Sequence, residues 1–128
     1  MGTTIDLDKL AAMRERHESL QENYRSTAQR ARDLAKAANR LVSEVASEAD
    51  NEAGPALLSK SPQALAEVPA ADLVAARLDP KAVKRIVAAR LSAAKVKATA
   101  EGLAVELKSS AALMQRINTY AQRIEHTL

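Results

Sequence analysis

The chain has no cysteine, no phenylalanine and no tryptophan, and aromatic residues make up only 2% of its 128 residues. The absence of cysteine excludes disulfide bonds, thiolate zinc sites and cysteine nucleophiles. Only three glycines and four prolines interrupt a sequence that is 47% hydrophobic, with alanine supplying much of that share. Alanine and long charged side chains favour helices over strands. The composition therefore predicts one all-α domain with a modest core over residues 1–128.

Long apolar runs are also missing. No stretch approaches the roughly 18 consecutive apolar residues of a membrane span, and the first residues lack a basic region followed by an apolar one, so no secretory signal is expected. We therefore expect a cytoplasmic protein that does not bind membranes. Export without a signal peptide is also compatible with the sequence.

A long first helix is predicted over residues 4–51, because no glycine or proline occurs between Gly2 and Gly54. Thr3 and Asp6 have capping-box-like spacing at its start. Apolar residues recur at alternating steps of three and four, which is the 3.5-residue heptad repeat of a coiled coil. The members of this repeat are Leu10, Met13, His17, Leu20, Tyr24, Thr27, Ala31, Leu34, Ala38, Leu41, Val45 and Glu48.

A second long helix is predicted over residues 80–127, with Asp79 as N-cap and Pro80 at the first helical position. The heptad repeat continues through it to the last residue. We predict an elongated antiparallel helical hairpin with Leu20 near Ser110. The members of the second repeat are Ala82, Ile86, Ala89, Ala93, Val96, Ala100, Leu103, Leu107, Ser110, Met114, Ile117, Ala121, Ile124 and Leu128.

The segment between them, residues 56–79, is predicted to form short helices that return the chain. Each of the two Xaa-Pro steps, Ser61-Pro62 and Val68-Pro69, is typical of a helix start. The apolar residues of the segment would then cover the open end of the long pair as a cap. These residues are Leu57, Leu58, Leu65, Leu73, Val74 and Leu78.

The second long helix has a second apolar stripe on the side opposite its heptad repeat, although a hairpin helix needs only one apolar face. Three explanations stay open. The short helices cover the stripe, a second copy covers it in a homodimer that forms a four-helix bundle, or a different protein binds it. The predicted partner-binding residues are Val87, Leu91, Ala98 and Val105.

Basic residues are concentrated between residues 77 and 97, where Asp79 alone opposes them. Such a cluster can contact the phosphates of DNA or RNA, but the sequence has no aromatic residues there for base stacking. In an antiparallel hairpin, the acidic run Glu44, Glu48, Asp50 and Glu52 would lie alongside and neutralise the cluster. The candidate nucleic-acid-binding residues are Arg77, Lys81, Lys84, Arg85, Arg90, Lys95 and Lys97.

Residues suited to catalysis are scarce. The two histidines, His17 and His126, lack metal-ligand spacing, and the isolated glycines form no phosphate-binding loop. The sequence therefore predicts no catalytic residue, metal or cofactor. It predicts a non-enzymatic interaction or assembly protein that binds a protein partner, or itself, through its long amphipathic helices. A small nucleic-acid-binding accessory protein that uses residues 77–97 is the alternative.

Overall fold

The computed structural model describes residues 7–127, and the side chains as far as residue 123. Of this described part, 87% is helix and none is strand, which confirms the predicted all-α class. There are five helices in chain order. They are α1 (Leu7–Ser47), α2 (Ala53–Leu58), α3 (Pro62–Ala66), α4 (Ala70–Ala75) and α5 (Pro80–Thr127).

The two long helices, α1 and α5, pack against each other as in a helical hairpin. The predicted repeat members are the less exposed residues of both helices wherever the structure describes their side chains, except Glu48, which is exposed. Ile124 and Leu128 lie outside those described side chains. The finer prediction, coiled-coil packing, stays a prediction.

The short helices number three, one more than predicted. Helix α1 ends at Ser47 rather than residue 51, and α2 begins at Ala53 and contains Gly54 and Pro55. A proline is tolerated in the first turn of a helix, where the backbone N–H groups have no intrahelical acceptor. Gly54 is buried, and a Cβ there would collide with the carbonyl oxygen of Ala46 in α1. The Gly-Pro pair therefore begins a helix packed closely on α1, where the sequence indicated only a helix end.

The starts of α3 and α5 follow the predicted capping. The Ser61 hydroxyl accepts a hydrogen bond from the Ala64 N–H at 3.2 Å, with Pro62 next in the chain. The Asp79 carboxylate accepts one from the Lys81 N–H, also at 3.2 Å, beside Pro80. Both caps satisfy donors that would otherwise lack a partner.

The chain divides into two compact units. The central unit comprises residues 29–97, and the terminal unit comprises the described residues of 1–28 and 98–128. The central unit holds a continuous apolar core to which each short helix contributes one buried leucine, at about 1.5–3 kcal/mol of burial each. The core residues are Val42, Ala46, Leu57, Leu65, Leu73, Leu78, Val83 and Ile86.

Two of the residues predicted to cap the hairpin lie outside this core. Leu58 is 48% exposed and Val74 is 61% exposed. A helix of five or six residues has room for one turn against the core, so Leu57 and Leu73 fill it while their neighbours in sequence point outward. The prediction that Leu58 and Val74 help to cover the open end of the long pair is therefore wrong.

The terminal unit contains the first half of α1 and the second half of α5. A side-chain hydrogen bond across its two helices joins the His17 Nδ1 atom and the Ser110 hydroxyl at 2.8 Å. The predicted neighbour of Ser110, Leu20, lies one helical turn beyond His17 and lines the same groove as Ser110. The predicted register is therefore correct to within one turn.

Candidate interaction surfaces

The four predicted partner-binding residues all lie on α5 and are all exposed. In the central unit, Val87 is 42% exposed and Leu91 is 55% exposed. In the terminal unit, Ala98 is exposed and the exposure of Val105 reaches 68%. Among the described residues, the short helices do not bury Val87 or Leu91, so both apolar side chains remain exposed on α5.

Arg90, on α5, contacts the backbone of the short-helix segment. Its guanidinium donates hydrogen bonds to the carbonyl oxygens of Val68, at 2.6 Å, and Leu65, at 3.2 Å. These carbonyls lie in the last turn of α3 and just beyond it, and the Leu65 carbonyl also accepts a hydrogen bond from the Val68 N–H at 3.3 Å. Burial lowers the pKa of Arg90 below its ordinary value, yet an arginine stays charged at neutral pH. Arg90 therefore fastens α3 to α5 within the central unit.

Arg77 also has a structural role, in the turn that ends α4. Its backbone is left-handed, with φ of 58°. The N–H of Leu78 donates to the Leu73 carbonyl at 3.4 Å, and that of Arg77 donates to the Val74 carbonyl at 3.0 Å. These are the two bonds of a Schellman motif, in which the left-handed residue is usually glycine. Leu73 and Leu78, which flank the motif, are both buried.

Acidic and basic residues meet in one cleft of the central unit. Arg77 and Arg85 line this cleft, of about 250 Å³, together with Glu48, Asp50 and Asp79. The proximity of three carboxylates offsets the two guanidinium charges there. The remaining members of the basic cluster, Lys81, Lys84, Lys95 and Lys97, are exposed on α5. The structure thus gives the seven predicted residues different surroundings, and the hydrogen bonds of Arg90 link α5 to the backbone at the end of α3.

The terminal unit has a groove between α1 and α5 that the sequence analysis did not identify. Its volume is about 450 Å³, and both apolar and polar side chains line it. Two residues of opposite charge line it, Arg16 on α1 and Glu106 on α5. Leu113, 46% exposed, is the most exposed apolar side chain of its lining after Val105. The full lining is Met13, Arg16, Leu20, Val105, Glu106, Ser109, Ser110, Leu113 and Met114.

The spacing of two residues in the sequence does indicate this groove. Leu113 lies eight residues after Val105, a spacing that keeps two residues near one side of a helix. A strict seven-residue spacing from Ala98 and Val105 leads to Ala112 instead, so it does not include Leu113. Arg16 and Glu106 fall beside the heptad repeats, at positions that hairpins usually leave to solvent.

The residues considered for chemistry are dispersed. Within residues 7–123, no three His, Cys, Asp or Glu side chains are placed to hold a metal ion. His17 is hydrogen-bonded to Ser110, and the side chain of His126 lies outside the described residues. Glu15, Glu18 and Glu22 are exposed. None of the helices over the described residues is long and apolar enough to cross a membrane.

No family model matches the chain, and neither a curated protein nor a solved structure is significantly similar to it.

Proposed function

We propose that this protein is a non-enzymatic interaction or assembly protein that binds a protein partner, or a second copy of itself, through its long amphipathic helices. The observation that carries the proposal is the exposure of large apolar side chains on α5, namely Leu91 at 55% and Val105 at 68%. Single exposed apolar residues are common on protein surfaces. A recurrent set on one helix is typical of helices that bind another helix along one face.

The chemistry of the surface supports this proposal. The apolar surface of α5 is built from valine, leucine and alanine, and the small alanines permit the close approach of another helix. Val87 and Leu91 belong to the central unit, and Ala98 and Val105 belong to the terminal unit. In either unit, a partner helix packed on α5 would remove these side chains from water, at about 25 cal/mol for each Å² of apolar area.

The experiment compares tagged wild-type protein with the double variant Leu91→Glu/Val105→Glu as bait. Each bait is incubated with an extract of the native host. In a second experiment, each bait is co-expressed with an untagged copy of the wild-type chain. We expect wild type to retain a stoichiometric partner, and the double variant to lose it. The control variant, Ser92→Glu/Ala111→Glu, places the same charges at exposed positions of α5 outside the four-residue surface and should retain the partner. Failure of wild type to retain any protein, or equal retention by both variants, contradicts the proposal.

Binding of nucleic acid is the second candidate, favoured by the exposure of Lys81 and Lys84 in the first turns of α5. Cations are disfavoured at the positive N-terminal end of a helix, so a phosphate ligand would relieve an unfavourable interaction there. Binding of duplex DNA and RNA is measured at increasing salt. Phosphate contact is supported if the affinity of wild type falls steeply with salt concentration and the affinity of Lys81→Ala/Lys84→Ala falls less steeply. Absence of binding at low salt contradicts it.

A further inference from the structure

The terminal unit is a pair of helices almost without buried side chains. Eleven apolar residues are buried in the described part of the chain, and of these only Ala100 belongs to the terminal unit. The repeat members that face the other helix there, such as Leu103 and Leu107, are only partly buried. Two helices in water gain most of their stability from apolar packing rather than from helix propensity. The terminal unit therefore lacks the core that usually stabilises paired helices.

The groove of this unit provides a surface on which such a core can be completed. Met13 and Leu20 line it from α1, and Val105, Leu113 and Met114 line it from α5. Val105 and Leu113 are 68% and 46% exposed. Val105 and Leu113 are thus apolar side chains on the outside of the pair, beside the partly buried Met13, Leu20 and Met114.

The charges of the groove indicate what occupies it. Arg16 lies on α1 and Glu106 lies on α5, so each helix contributes one charge and the two charges are opposite. In a two-fold dimer, the same patch must be complementary to itself. A patch that carries a cation on one helix and an anion on the other meets this condition, because each charge can face its opposite in the second copy.

We propose that the groove of the terminal unit is occupied by the same groove of a second copy, which gives a four-helix bundle. This inference rests on the proposed function and names the partner and the surface. A two-fold axis that runs along the helices places α1 of one copy opposite α5 of the other. Arg16 of each copy then approaches Glu106 of the other, and Val105 and Leu113 of both copies enter a shared core. Bundles of four helices are stable through cores of this kind.

A charge exchange between copies tests the proposal. Arg16→Glu and Glu106→Arg are purified separately, and their association is followed by sedimentation velocity. In each single variant the dimer would contain two like-charged pairs, so dimerisation should weaken on the order of tenfold or more. The first variant has two acidic side chains in its groove and the second has two basic ones. When the two variants are mixed, opposite charges therefore meet in both pairs, and a heterodimer should form.

The mixture is decisive because charges within one chain do not change on mixing. The double variant Arg16→Glu/Glu106→Arg should also dimerise as wild type does, and Arg14→Glu, an exposed charge outside the groove, should have no effect. Single variants that dimerise like wild type, or a mixture that gives no heterodimer, overturn the proposal. A wild-type chain that stays monomeric overturns it as well. In that case a different host protein retained by wild type and lost in Leu91→Glu/Val105→Glu would still support the proposed function.

Discussion

His17 and Ser110 are joined by a side-chain hydrogen bond of 2.8 Å between Nδ1 and the hydroxyl oxygen, across the two helices of the terminal unit. Both residues are members of the apolar repeats, and both are partly buried. The bond allows two polar side chains to occupy positions that would otherwise be apolar, and it can occur at only one register of the pair.

The first prediction concerns this bond. Ser110→Ala removes one partner and leaves the His17 Nδ1 atom partly buried and unpaired, which should lower the free energy of unfolding by about 1 kcal/mol. His17→Leu/Ser110→Ala removes both partners and should recover the loss, because an apolar pair replaces a polar one at a repeat position. Chemical denaturation of wild type, the two single variants and the double variant measures the coupling. Strictly additive effects would show that the bond contributes nothing to stability.

The second prediction concerns the two glycines within described helices. Gly54→Ala should destabilise the protein by about 1–3 kcal/mol, because the added methyl group collides with the Ala46 carbonyl oxygen and α2 must move away from α1. At Gly102, no described heavy atom beyond its chain neighbours and the nearby backbone of its own helix lies within 4 Å of the position that a Cβ would take. Gly102→Ala should therefore stabilise α5 by up to about 1 kcal/mol through helix propensity. Thermal denaturation measures the melting temperatures of the two variants and of wild type. A melting temperature raised by Gly54→Ala would refute the close approach of α2 and α1.

The third prediction separates a structural arginine from surface arginines. Arg90→Met keeps the length of the side chain but removes the donors to the Leu65 and Val68 carbonyls. We expect a loss of about 1.5–3 kcal/mol, the range for hydrogen bonds to charged groups. Arg85→Met, at an exposed position of the same helix, should change stability by less than about 0.5 kcal/mol. Equal effects in urea denaturation would mean that Arg90 does not fasten α3 to α5.

The fourth prediction uses the left-handed residue after α4. Arg77→Gly should stabilise the protein by about 1 kcal/mol, because φ of 58° is strained for arginine and free of strain for glycine. The same substitution in the middle of a helix, Arg85→Gly, should cost about 1 kcal/mol. Both variants lose one positive charge. Stability changes of opposite sign would therefore come from the backbone conformation rather than from the charge. Destabilisation by Arg77→Gly, measured by thermal denaturation, would indicate that the arginine side chain matters more than its backbone conformation.

The sequence predicts the long helices well because their repeats are uninterrupted. The start of α5 at Pro80 follows directly from the capping pair Asp79-Pro80. Helix α2 is not predicted, because Gly54 and Pro55 are typical of a helix end when their tertiary contacts are unknown. The predicted register, with Leu20 near Ser110, differs by about one turn from the observed pairing of His17 with Ser110. The register depends on how the three short helices return the chain rather than on either long helix.

The surfaces are harder to predict than the helices. The excess apolar stripe through Leu91 and Val105 is visible from spacing alone, and both residues are exposed. The surroundings of Arg90 cannot be predicted, because its acceptors are backbone carbonyls, which every residue carries. The groove with Arg16 and Glu106 depends on the register of the two helices, which the sequence gives only to within a turn.

Contact between copies at the groove of the terminal unit is tested most directly by spin labelling at Ser109, an exposed residue of the groove lining. The chain has no cysteine, so Ser109→Cys carries the sole label of each copy, and dipolar coupling between labels reports only contact between copies. We predict coupling with a narrow distance distribution that disappears when labelled protein is diluted with excess unlabelled wild type. Absence of coupling in undiluted protein whose circular dichroism matches wild type would contradict the proposed dimer.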